Sequence, residues 1–414
     1  MKYLKRCVKW FGADNRMKFQ MLVLASFLVV EGHLSEHSWE HLETDKNFTC
    51  PLNEEIRPCV CSALSAVPAI HCDNIRSIKT VKEALGTVFT HKVIPFLKIQ
   101  HARFVSLPCR AFAGINMTRM QIKDSNLRYV EAEAFAGLEE LKILILHNVK
   151  LLNFPSESLN RLSSLTTLFL PSNSLLSVND RDLHVTGGLK YLSLAQNQLT
   201  HVAHGSFPMS LVTLSLSDNR ILRLDRSIRN LVNLEWLSLD NNRLVGVRGE
   251  LNGLVNLLHL NLAYNRISSL GQSLKNLNQL ETIDLQHNNI REIGTSFHSL
   301  GKLKKLNLSM NRLLRLNYGE FYGLLSIERL DLSGNKLSKL NGALRHLSGL
   351  ITLDLADNEF QIFSFWEIDT LSHLKVLDLS NNHLVYLSSD PDLITLPSTS
   401  LLFQRNELVD FEIE

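Results

Sequence analysis

Apolar residues recur along this chain in a frame of eleven positions, LxxLxLxxNxL. The first position falls at Ile94, Met117, Leu141, Leu165, Leu189, Leu211, Leu234, Leu257, Leu280, Leu303, Ile327, Leu350, Leu374 and, less completely, Ser398. Successive starts lie 22 to 24 residues apart. Within each frame the fourth and sixth positions are apolar, whereas the third, fifth and seventh are mostly polar. That alternation is the signature of a half-buried strand. A unit this short holds no core of its own, so the strands must stack in parallel, one per coil, with their leucines in a shared interior. The pattern predicts an α/β solenoid with a parallel sheet on one side and short helices or 3₁₀ turns on the opposite, convex side.

The ninth position has a separate task. Where the chain turns off the strand, backbone groups lose their ladder partners, and an Asn side chain both donates and accepts to replace them. Asn173, Asn197, Asn219, Asn242, Asn265, Asn288, Asn311, Asn335, Asn358, Asn382 and Asn406 occupy it. The first three frames carry Ala102, Ser125 and Val149 instead, which predicts less regular turns there. A second apolar column includes Phe112, Phe135, Phe207, Phe297 with Leu300, and Phe321 with Leu324, and is expected to line the convex side.

These residues resemble the leucine-rich repeats of animal extracellular proteins. The resemblance spans residues 94–409, about fourteen repeats, and implies a horseshoe with the parallel sheet on its concave face. Ahead of it, Lys2, Lys5, Arg6, Lys9, Arg16 and Lys18 precede the apolar run MLVLASFLVV and Gly32. A basic leader, a short apolar run and a small residue describe a secretory signal peptide over 1–32, with Met17 as a possible start. The run falls short of the ~20 residues a membrane span needs, leaving no span in the mature chain; an uncleaved anchor is the rival reading. A polar linker, 33–49, leads to Cys50, Cys59, Cys61 and Cys72. Four cysteines allow three pairings, and a zinc site competes with oxidation, which the secretory leader favours. Segment 50–93 resembles the N-terminal cysteine cap of secreted leucine-rich repeat proteins, which implies pairs Cys50–Cys61 and Cys59–Cys72. Such a cap would cover the raw sheet edge of the first coil. Cys109 stands apart, either as a small buried hydrophobe near the convex side or as a partner in an intermolecular disulfide.

Sequons at Asn47, Asn116 and Asn307 fit a secreted glycoprotein, with Asn307 on a strand facing the concave surface. The acidic tail 410–414 carries no second cysteine cap. A formal net charge of +2 leaves no electrostatic case for nucleic acid, which wants a basic stripe. No GxSxG, P-loop, HExxH or GxGxxG motif is present, so no catalytic constellation, cofactor or metal is expected, and HVAH at His201–His204 lacks a third ligand.

The repeat holds the scaffold constant while the third, fifth, seventh and eighth positions vary, which makes them the candidate surface. Ile143, Ile145, Phe169, Tyr191, Trp236 and the nearby Tyr264 give the earlier coils an aromatic and apolar neighbourhood, with His259 in the same third-position column. Asp284, Asp331, Asp354 and Asp378 give the later coils an acidic one beside Lys305 and Arg329. Exposed aromatics on a sheet serve as binding anchors, because Trp and Tyr bury much area at low entropy cost. The function expected is a secreted or cell-surface, non-catalytic protein that binds another protein or a glycan through the concave face. Its alternative is an inhibitor or a stabilising non-catalytic subunit of an enzyme. Segments PCVCSALSAVPAIHC, LPCRAFAG and VEAEAFAGLEEL resemble arthropod proteins similar to the non-catalytic subunit of oplophorus luciferase, which implies the subunit reading. Oligomeric state is not legible.

Overall fold

The computed structural model describes residues 48–63, 67–90, 92–180, 182–183, 187–388 and 399–408. The expected leader, Asn47 and the tail 410–414 lie outside the described residues. The chain forms two compact units, one ending at Ser174 and the other beginning at Leu175. Each is a parallel β-solenoid.

In the first unit, strands Ala69–Asp73, Leu97–Gln100, Arg119–Lys123, Ile143–His147 and Thr167–Phe169 run parallel, each in register with the next. The first belongs to the cap and precedes the repeat frame. Strand Cys59–Ser62 pairs antiparallel to it and covers the edge. Disulfides join Cys50 to Cys61 and Cys59 to Cys72, the second pair standing directly opposite each other in that ladder. Helix Ile78–Val88 follows, begun by Ser77, whose hydroxyl accepts from the Lys79 N–H. It buries Ile78, Val81 and Leu85, one stripe at helical spacing. The frame gives no sign of this helix.

In the second unit, strands from Tyr191–Ser193 to Ser400–Leu402 repeat one register, for example Trp236 opposite His259 and Asp331 opposite Asp354. Fourth- and sixth-position leucines such as Leu237, Leu239, Leu306 and Leu308 are fully buried. The Asn ladder ties coil to coil. Asn288 Oδ1 accepts the Ile267 N–H of the preceding coil (3.0 Å), while its Nδ2 donates to the carbonyls of Leu262, Leu285 and Gln286.

The first three coils depart from expectation. Their turns keep the same backbone rungs, with His101, Asp124 and Asn148 N–H groups donating to the carbonyls of Lys123, His147 and Pro171. Ser125 supplies part of the missing amide, accepting from the Ala102 N–H (2.9 Å) and donating to the Lys123 carbonyl. The turn is held by the backbone conformation of its eighth residue, which is left-handed from His101 (φ 50°) through Tyr264 (53°) to Arg405 (58°).

The return side also departs from expectation. Phenylalanines stack between coils as expected of a lining column, Phe112 on Phe135 and Phe297 on Phe321, with centroids 6.4 and 6.3 Å apart. Helices are sparse there, with Ser156–Leu159 and the 3₁₀ turn Phe365–Glu367 among the described residues, and most coils close through hydrogen-bonded turns. Carboxylates from the next coil hold several of these turns. Glu367 accepts the Asn341 and Gly342 N–H groups (3.0 and 2.6 Å), and Glu250 accepts that of Arg226. The coils close to backbone contact at Gly323, where a Cβ would stand 2.1 Å from the His298 carbonyl oxygen. Cys109 lies on this side of the first unit, beside helix Ile78–Val88, and is exposed rather than buried, because its frame position falls outside the apolar column.

Candidate recognition face

The odd positions of each strand project from the sheet face, yet burial there differs sharply between residues. In the first unit Ile143, Ile145 and Phe169 are 7%, 1% and 1% exposed. Ile143 lies opposite Thr167, and Ile145 opposite Phe169, so large side chains at matched register shield one another. These three are packing residues, which corrects their expected part as exposed anchors.

In the second unit Tyr191, Trp236 and Tyr264 are half-buried, with part of each ring left to solvent. The Trp236 ring lies 4.9 Å from that of His259, and Tyr264 stacks on His287 at 4.3 Å and 17°. His259 is 4% exposed and its Nδ1 lies 2.8 Å from the Thr282 hydroxyl. Burial pulls its pKa down to about 4 against the opposing attraction of Glu281, so the imidazole is neutral at pH 7. It acts as a polar floor for the indole rather than as a contact. His287, which the variable-position reading passes over, completes the Tyr264 stack; its signal was an aromatic residue at the adjoining eighth position.

The fifth-position carboxylates are half-buried and have a structural duty the sequence reading missed. Asp284, Asp331, Asp354 and Asp378 each accept the N–H of the residue two further on, at 2.9 to 3.0 Å. Asn261 and Asn307 do the same for Ala263 and Ser309. This is an Asx-type turn repeated coil after coil. The signal lay in chemistry rather than identity, since each fifth position from Ser193 to Asp378 carries an acceptor oxygen. Stacking the carboxylates has an electrostatic cost. Burial, then the charge of Asp331, raises the Asp354 pKa to about 7; burial, with Asp240 and Asp331 adding, raises Asp284 to about 7 despite the Gln286 N–H bonds. Lys305, buried on the third-position column, is lowered by burial and then by Arg329 opposite it.

Asn307 is 4% exposed, and its Oδ1 accepts both the N–H and the hydroxyl of Ser309. The side chain lies in register between Asp284 and Asp331 of the neighbouring strands, and its burial counts against the glycan expected at Asn307. Asn116 is half-buried with its amide donating to Glu140. His201 stands 3.7 Å from Asp225 and His204 bonds the Arg226 carbonyl; among the described residues no group of three or more His, Cys, Asp or Glu could hold a metal ion. Nor is any described helix long and apolar enough to cross a membrane.

Family models agree with this architecture. The leucine rich repeat model matches 187–244, 247–290 and 294–337, a BspA type leucine rich repeat region of six copies matches 87–212, and a further leucine rich repeat matches 373–396. The chain is 30% identical over 161 residues to Toll-like receptor 6 of Mus musculus, covering 37% of this chain and 20% of that protein. It is 31% identical over 186 residues to human lumican, covering 44% of this chain and 52% of lumican. The chain thus spans about half, or less, of the length of these relatives. Among solved structures, the APL1 leucine-rich repeat domain superposes with a TM-score of 0.65 at 21% identity, over 82% of this chain and 87% of that one. A Leptospira interrogans leucine-rich repeat protein gives 0.58 at 24% identity, over 80% and 95%. The solved structures share its fold, and the matched leucine-rich repeat models, which together cover more than half of the chain, establish that it belongs to the leucine-rich repeat proteins.

Proposed function

We propose that this chain is a secreted or cell-surface, non-catalytic binding protein whose sheet face, the concave side expected of such repeats, recognises another protein or a glycan. The observation that carries the reading is the pair of stacks on the second unit, Trp236 on His259 and Tyr264 on His287. Each holds a large ring in place with part of its surface open to solvent, which lowers the entropy lost on contact. The fifth-position carboxylates of the later coils are engaged in turns. A relative named as a receptor, a disulfide-bonded cap and the basic leader support an oxidising, secretory route.

The test expresses the full chain in a secretory host, captures its partner from source tissue by crosslinking, and measures equilibrium binding for the parent and for Trp236→Ala with Tyr264→Ala. The double variant should keep the parent's melting behaviour and lose about 2 kcal/mol or more of binding, roughly thirtyfold. Unaltered affinity would remove the rings from the contact. Recovery of an enzyme whose lifetime this chain extends would favour the stabilising-subunit reading that the N-terminal segments suggest.

A further inference from the structure

Position ten, which follows the ladder Asn, forms a column of different chemistry. Over six consecutive coils of the second unit it reads Arg220, Arg243, Arg266, Asn289, Arg312 and Lys336, and its five cations are all exposed. Backbone bonds keep the column in line. Each N–H donates to the eleventh-position carbonyl of the coil before, as Arg243 to Ile221 (3.0 Å), Arg266 to Leu244 (2.9 Å) and Arg312 to Ile290 (2.9 Å). Where Asn289 interrupts the charge, Arg291 stands exposed two residues later; Arg223, Arg315 and Lys339 widen the column at position thirteen. Glu292 is the one acid at positions ten to thirteen of these coils. Among the described residues none of these cations forms an ion pair with a carboxylate.

A protein of formal charge +2 has thus gathered unpaired cations on one flank, at the pitch of its coils, about 4.8 Å. Such a row matches a linear polyanion, and the counterions released along it favour binding. The side chains between the cations are aliphatic or small, with Leu222, Val245 and Leu314 exposed, serines at Ser268 and Ser338, and no aromatic ring at these positions on which a base could stack. The disulfide cap belongs to an oxidising compartment. We propose that this flank of the second unit binds a linear sulfated polysaccharide, at a site separate from the sheet face.

The experiment measures equilibrium binding of a heparin decasaccharide to the full chain across a salt series around 0.15 M. Replacing Arg243→Ser, Arg266→Ser and Arg312→Ser together should weaken binding about tenfold and reduce the slope of log affinity against log salt by about two to three. Removing three exposed cations elsewhere, Lys92→Ser, Lys275→Ser and Lys302→Ser, should change affinity less than about twofold. The proposal fails if the parent does not bind, if the two triple variants weaken equally, or if a single-stranded oligonucleotide of equal charge binds as tightly. Matched melting curves for all three proteins keep a folding defect from imitating the expected loss.

Discussion

From Asn173 onward, one amide side chain per coil satisfies up to five backbone groups of the turn, and it does so for two coils at once. Replacing Asn288→Ala removes four bonds in a buried setting and should destabilise the second unit by about 1–3 kcal/mol, read from the denaturant midpoint; a neutral result would strip the amide of that role. The carboxylates give a pH signature. Asp354, with its pKa raised to about 7 from 3.8, contributes stability that is present below its ordinary value and is lost as pH rises through about 7. His259 runs the other way, its contribution present above 6.5 and lost as pH falls through about 4. Asp354→Asn should therefore gain stability over the parent as pH moves from about 5 to about 8, and a gap independent of pH would show the carboxyl to be solvated. The Asn ladder was legible because a single residue type does that work. The fifth-position turn was not, because Ser, Asn and Asp share it. Nor was the burial of Ile145 and Phe169, since alternation says which way a side chain points and not how closely its neighbour on the next strand covers it.

Every repeat strand was legible as an element, because alternation and a fixed frame specify both its place and its register. The return side was not. A coil of 22 to 24 residues spends eleven on strand and turn, leaving too few to close the loop and also wind more than a turn of helix. Helix Ile78–Val88 went unseen for another reason: its apolar spacing is clear, but it lies between two patterns, the cysteines and the repeats, that dominate the reading. The cap's antiparallel strand ends the sheet, and its disulfide closes a short loop of sequence separation 13. Losing that bridge in Cys59→Ala with Cys72→Ala should lower the stability of the first unit by about 2–4 kcal/mol. Because each coil contacts only its neighbours, hydrogen exchange should quicken first in Ala69–Asp73 and Leu97–Gln100, leaving amides of the second unit unchanged. Uniform acceleration throughout would contradict such local behaviour.

At the scale of the molecule, composition conceals more than it reveals. A formal charge of +2 describes neither the carboxylates stacked on the sheet face nor the cations on the flank, because a solenoid sorts charge by position in the coil rather than by stretch of sequence. Function was legible only as far as the division between constant and variable positions. Which variable positions remain open to a partner needed the packing. The left-handed eighth residue sets a further limit on that variability. Its occupants from His101 to Arg405 are His, Asp, Asn, Ser, Gln, Tyr, Met, Gly and Arg, and never Val, Ile or Thr, whose branched Cβ is poorly accommodated at such φ. Selection at this rim therefore writes with a restricted alphabet: new specificities can be spelled in unbranched, mostly polar side chains, and compact aliphatic surfaces must be composed elsewhere on the coil.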